Sequence, residues 1–304
     1  MIKENIIITG GSGLLAANWA IAMKHRYAVI LGMHTRAIRI ENVDSRVIDL
    51  NSVDSIAAVL SDTNATIVVH CAAFTNVDDC ELQPQIARYA NIDIARNVAT
   101  ACSAHGAKLV HISTDHVFSG STSLMDESAA IGPLNVYAKS KAAGEVAVLE
   151  ECPTAIIART NFFGWGLPYR KSFSDTIIET LRDSREIGLF SDAYFTPILM
   201  EQLIIAVHNL LDIGAKGIFH IVGDERLSKF QFGLSIASVF GLDAAFIKPR
   251  LLAERTDLAL RPLDLSLDNH KLCSTIGRNI GDVKSQLARL FEQESLKPLN
   301  GCHR

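Results

Sequence analysis

The 304-residue chain reads as an α/β protein, a doubly wound and mostly parallel sheet followed by a smaller C-terminal α/β lobe. Three observations predict this. Short β-branched runs alternate with amphipathic stretches of helix length from residue 5 onward, the signature of βαβ units. A glycine cluster joins the first run to the first helix, and a Tyr-x-x-x-Lys pair follows the fifth run.

The elements follow in order. Residues 6–9, 28–31, 46–49, 67–71 and 108–113 read as strands, with helices over 14–25, 53–60 and 85–104 between them. Several strands are continuous apolar runs, as required when helices cover both faces of a sheet. A helix from Tyr137 to about residue 150 leads to a strand over 155–158. The alternation then loses regularity, and residues 163–168 (Phe-Gly-Trp-Gly-Leu-Pro) read as a loop. The spacing therefore divides the chain into an NAD(P)-binding Rossmann-like domain over 1–165 and a mainly substrate-binding lobe over 166–304, some segments of which return to the first sheet. Two later helix starts are signalled, by Thr196 as a cap before Pro197 and by a capping box of Ser228 with Gln231, stapled by Leu227 and Phe232.

Composition narrows the function. A hydrophobic fraction of 48% with 20% charged residues is that of an ordinary globular protein. The net charge of -4, with no block of Lys or Arg, argues against nucleic-acid or anionic-membrane partners and for small-molecule chemistry. The N-terminal apolar run is too short for a signal peptide and no stretch reaches the ~18 residues of a membrane span, so a cytoplasmic location is expected. Six cysteines lie far apart without a C-x-x-C pair, which suggests neither a metal site nor a disulfide framework. Cys71, at a strand end, is read as a packing residue.

The run Ile7-Ile8-Thr9-Gly10-Gly11-Ser12-Gly13-Leu14-Leu15-Ala16 places a strand, a glycine turn and a helix start at the front of the chain. Gly10 permits the tight turn, Gly13 lets the backbone approach a pyrophosphate, and Ala16 allows close helix packing. Free N–H groups at the helix start attract the anion. An NAD site would carry an acidic residue about 20 positions on, but Gly32-Met33-His34-Thr35-Arg36 has none. NADP, as NADPH, is therefore favoured, with Arg36 or His34 pairing with the 2'-phosphate. Asp49 and Leu50 would lie near the adenine.

Tyr137 and Lys141, four apart, share a helix face. A phenol ordinarily holds its proton with a pKa near 10, and a nearby ammonium favours the phenolate. In the reducing direction Tyr137 would protonate a carbonyl oxygen as hydride arrives. The pair follows the strand ending His111-Ile112-Ser113-Thr114-Asp115, at whose carboxyl end a doubly wound sheet binds ligands. Thr114 can hold the substrate carbonyl and Asp115 can add a polar contact.

The segments HCAAFTNVDDCE, KLVHISTDHVFSG, PLNVYAKSKAAGE and RTNFFG, in this order, resemble the extended short-chain dehydrogenase/reductases that act on nucleotide sugars, most closely the dTDP-4-dehydrorhamnose reductase branch. The resemblance is strongest over residues 65–165, with weaker echoes in GIFHIVGDERLSKFQFG and RPLDLSLDN. It implies catalytic roles for Thr114, Tyr137 and Lys141, with Lys141 also holding the nicotinamide ribose. It implies cofactor contacts from Gly10, Ser12, Gly13, Leu14, Asp49, Ala72 and Ala73, and a structural or substrate role for Asn91. The expected activity is NADPH-dependent reduction of a 4-keto-6-deoxy sugar nucleotide for cell-surface polysaccharide, with homodimer formation left open. His116 stands where the family commonly has an aromatic residue, and Asn161-Phe162-Phe163 replace a Trp, so the sugar contacts of His116, Asn161 and Phe162 are expected to differ. The alternatives are an epimerase or dehydratase with tightly held NAD, disfavoured by the missing acidic residue, and a non-catalytic subunit like the regulatory β subunit of methionine adenosyltransferase.

Overall fold

The computed structural model describes residues 3–296. In chain order the first half runs β1 (Asn5–Thr9), α1 (Leu14–Met23), β2 (Ala28–Met33), β3 (Asp44–Val47), α2 (Val53–Thr63), β4 (Ala65–His70), α3 (Val77–Leu82), α4 (Pro84–Arg88), α5 (Ile94–His105), β5 (Lys108–Thr114), α6 (Val136–Glu151) and β6 (Ile156–Thr160). The second half adds β7 (Phe162–Phe163), α7 (Phe173–Arg182), β8 (Ile187–Phe190), β9 (Tyr194–Phe195), β10 (Ile198–Leu199), α8 (Met200–Asp212), β11 (Gly217–His220), β12 (Leu227–Ser228), α9 (Lys229–Phe240), β13 (Ile247–Arg250), α10 (His270–Ile276) and α11 (Val283–Leu296).

Seven strands form one parallel sheet in the order β11-β6-β5-β4-β1-β2-β3. Alternate residues of β1 feed two separate cores: Ile6 and Ile8 pack on one face with α1 and α8, Ile7 on the other with α2 and α5. The period of two that a strand imposes thus explains why such strands must be apolar throughout. The order reverses between β1 and β4, the switch point at which a doubly wound sheet opens a crevice at its carboxyl edge.

A third core lies off the sheet, where α7, α9 and α11 pack around Phe163, Phe195 and Phe232. There β8 pairs with β13 and β9 with β12. The capping box at Ser228 is formed in full, and Leu227 and Phe232 share this core. No described helix is long and apolar enough to cross a membrane.

Three elements differ from the sequence reading. The helix over 85–104 is interrupted by a π turn at Tyr89–Asp93, because buried Asn91 turns its side chain to the backbone of Phe74 and to Ser140 while its carbonyl abuts Gly144. The third strand begins two residues earlier and is an exposed edge. Thr196 does not cap a helix: residues 198–199 pair with β7, α8 starts at Met200 behind Leu199, and the Thr196 hydroxyl accepts the Leu267 N–H. Long-range strand pairing here overrides a local capping signal.

Candidate active site

The crevice starts at the glycine turn. Gly10 has φ +68°, and a Cβ there would lie 2.9 Å from the Ala72 backbone, so the turn after β1 and the loop after β4 touch only because residue 10 is glycine. The Gly13 N–H donates to the Gly10 carbonyl at 2.7 Å. Gly13 then caps α1 without a side chain, and no acidic residue occupies the first turn, leaving a positive helix end free for an anion. Ser12 offers its carbonyl to the Tyr169 hydroxyl at 2.9 Å, and the Arg36 guanidinium lies 4.3 Å from the centre of the Tyr169 ring. Tyr169 therefore holds an arginine beside the glycine turn.

At the other end, the sequence Asn135-Val136-Tyr137 starts α6, with the Asn135 side chain accepting the Ala138 N–H at 2.8 Å. One turn apart, Tyr137 and Lys141 both line a crevice of about 310 Å³ with Gly13, Leu14, Ala73 and Thr114. The Thr114 side chain lies beside the Tyr137 phenol and favours its ionised form. Thr114 also donates to one carboxylate oxygen of Asp115 at 3.1 Å, and the Asn161 amide donates to the other at 2.5 Å. His116 sets its ring edge-on to Tyr137, with centroids 5.6 Å apart. Its Nδ1 and the Thr160 hydroxyl are buried without a hydrogen-bond partner among the described residues, and both residues face the crevice.

Electrostatics in this state differ from the simple Tyr–Lys expectation. Lys141 donates to the Ile112 carbonyl at 2.7 Å and approaches His111 Nε2 at 3.3 Å, and burial lowers its pKa to about 8. Burial pushes the Tyr137 phenol above its ordinary value, outweighing the opposing influence of Thr114. The phenol is thus held protonated. Burial also lowers the His116 pKa, and raises Cys71 to about 12, which leaves that thiol unreactive.

Of the residues singled out from sequence, the crevice gathers Gly13, Leu14, Ala73, Thr114, Asp115, His116, Tyr137, Lys141, Asn161 and Phe162. Gly10 and Ser12 belong to the turn behind it, Ala72 in the loop after β4 packs against Gly10, and Arg36 lies beside that turn. His34 is exposed, Asp49 caps the Asn51 N–H, and Leu50 packs under the sheet. Asn91 makes structural bonds only, pinning the Phe74 loop to α6. Sequence reading missed Tyr169 and Arg170, whose loop is distant in the chain, and a second cavity of about 280 Å³ that opens off the crevice at Val77, His116, Asn161 and Phe162.

Residues 4–296 match the family model described as RmlD substrate binding domain. The chain is 27% identical over 288 residues to the probable low-salt glycan biosynthesis reductase Agl14 of Haloferax volcanii, covering 93% of this chain and 96% of that protein. It is 29% identical over 285 residues to the methionine adenosyltransferase 2 subunit beta of Pongo abelii, covering 90% and 83%. Among solved structures, the dTDP-4-dehydrorhamnose reductase of Bacillus anthracis in complex with NADP superimposes with a TM-score of 0.85 at 28% identity, over 96% of this chain and 100% of that one.

Proposed function

Because the chain belongs to the RmlD substrate-binding domain family, within the extended short-chain dehydrogenase/reductases, we propose that it is a cytoplasmic NADPH-dependent reductase of the keto group of a 4-keto-6-deoxy sugar nucleotide. The observation that carries this reading is the convergence of Thr114, Tyr137 and Lys141 on a crevice that begins at a free helix N-terminus. The cavity, the glycine contact and the arginine beside it suit a dinucleotide with a 2'-phosphate.

Bound NADPH supplies the hydride. Thr114 holds the carbonyl oxygen by a hydrogen bond, which fixes the reacting carbon and polarises the double bond. Tyr137, still protonated at neutral pH, gives its proton to that oxygen. Lys141 then stabilises the phenolate and holds the ribose, for which its ammonium must leave the Ile112 carbonyl. Asp115 and Asn161 keep Thr114 in place through their shared bonds.

The test is a panel of 4-keto sugar nucleotides with NADPH and NADH in parallel, followed by cofactor absorbance. Oxidation of NADPH by at least one member is expected. Cofactor binding without turnover across the panel rejects the reading. A regulatory subunit is the second reading, favoured by the similarity to methionine adenosyltransferase 2 subunit beta. It would reveal itself as stable association with a synthetase in the absence of reductase activity.

A further inference from the structure

Lys229 breaks three local rules at once. It is the first residue of α9, where the helix dipole disfavours a cation. The residue is half-buried, and the desolvation of its ammonium lowers its pKa to about 8, against the pull of Asp115. Among the described residues the side chain makes no hydrogen bond or ion pair; Nζ lies 3.2 Å from the centre of the Phe195 ring and 5.2 Å from that of Phe173. Residues that violate several local preferences concentrate at functional sites.

The ammonium faces the second cavity, and the walls of that cavity contain no carboxylate. They carry six aromatic side chains and one other strong cation, Arg261, whose guanidinium is already bonded to Asp78 at 2.7 Å. Lys229 is thus the cation of this aromatic pocket that has rings beside it but no hydrogen bond or ion pair among the described residues. A role as mere counter-charge to Asp115 is poorly supported, because Asp115 is already satisfied by Thr114 and Asn161.

We propose that Lys229 is the anion-binding residue of the substrate site, its ammonium receiving the diphosphate of a sugar nucleotide whose keto carbon lies at Tyr137. A hexopyranose ring carries its C1 and C4 substituents at opposite ends. With C4 against Thr114 and Tyr137, the C1 phosphate passes through the neck at His116 and Asn161 into the second cavity, where the aromatic walls stack the base. An ammonium acts on phosphate as a point charge and needs no forked geometry.

This inference rests on the sugar-nucleotide reading, but its test does not require turnover. The full chain, saturated with NADPH, is titrated calorimetrically with dTDP, UDP, GDP and CDP and with the four corresponding nucleosides. The wild type is expected to bind at least one diphosphate more tightly than its nucleoside. Lys229→Met should weaken that diphosphate at least tenfold while leaving the nucleoside and NADPH unchanged, and Lys229→Arg should recover most of the loss. Lys229→Gln, a second neutral variant, guards against a folding defect in the first. Equal diphosphate affinity in wild type and both neutral variants overturns the proposal, as does a wild type with no preference for any diphosphate over its nucleoside. Diphosphate binding that depends on Lys229, without hydride transfer to any keto sugar, leaves this site standing and rejects the reductase reading alone.

Discussion

The two sides of the crevice are assembled differently. The side proposed for the cofactor comes from three short segments, Gly10–Leu14 and Thr114–His116 after strand ends and Tyr137–Lys141 in the first turns of α6, each legible as a local motif. The side proposed for the substrate comes from Phe162, Phe173, Leu189–Phe195, Lys229 and Leu252–Leu265, spread over more than ninety residues and joined only by packing. Chemistry that requires fixed backbone geometry leaves a compact trace in sequence. Recognition of a variable ligand leaves almost none, since any side chain that reaches the cavity can serve.

Lys141→Met attacks the cofactor side most directly. It should lower kcat roughly 10²–10⁴-fold and weaken NADPH binding, while nucleoside diphosphate affinity, a property of the other side, is unchanged. Steady-state kinetics with binding titrations separate the two. A loss confined to diphosphate binding would contradict the division.

The next largest effect is on stability. Arg159 and Glu145, both buried, are bonded at 2.7 Å between β6 and α6, and Ser113 donates to the same carboxylate. Glu145→Ala leaves the guanidinium uncompensated and should cost about 3–5 kcal/mol in urea unfolding. This pair supports the helix that carries Tyr137 and Lys141, so cofactor-side geometry should suffer first.

Arg36→Ala should raise the KM for NADPH about tenfold and leave that for NADH unchanged, the loss of a charge-assisted bond worth roughly 1.5 kcal/mol. Equal changes for both cofactors would remove Arg36 from the 2'-phosphate site.

Acid should weaken the sheet. Burial lowers the pKa of His70 to about 3 and of His208 and His220 to about 4. Unfolded, each titrates near 6.5, so below that pH the unfolded chain binds protons that the folded chain refuses. Their stabilisation is complete above pH 6.5 and is lost as pH falls toward about 4, at about 1.4 kcal/mol per pH unit for each histidine. All three lie on elements of the seven-stranded sheet or on the helix packed against it. Urea midpoints between pH 7 and 5 should fall, and His208→Gln should shallow the slope. A flat profile would contradict the buried neutral state.

The sheet, the glycine turn and the Tyr–Lys helix were legible because each depends on neighbours in sequence: Gly10 on its own φ, Tyr137 and Lys141 on a shared helical turn. The π turn at Tyr89–Asp93 was not, since it answers to the distant contact of Asn91 with Gly144. Nor was the start of α8, where β7 claims residues 198–199. Tyr169 and Lys229 escaped for the same reason: a Tyr after a proline and a Lys after a cap carry no local mark of the ring or cavity they meet. The fold was more legible than the site, and the cofactor half of the site more than the substrate half.

The central claim is that the Tyr137 phenol completes alcohol formation beside a bound nicotinamide. Single-turnover NADPH oxidation, with a 4-keto-6-deoxy sugar nucleotide that the wild type reduces, tests it most directly in Tyr137→Phe. The account predicts a rate reduced roughly 10²–10⁴-fold with NADPH and nucleoside diphosphate affinities unchanged. A variant that oxidises NADPH at the wild-type rate would contradict it.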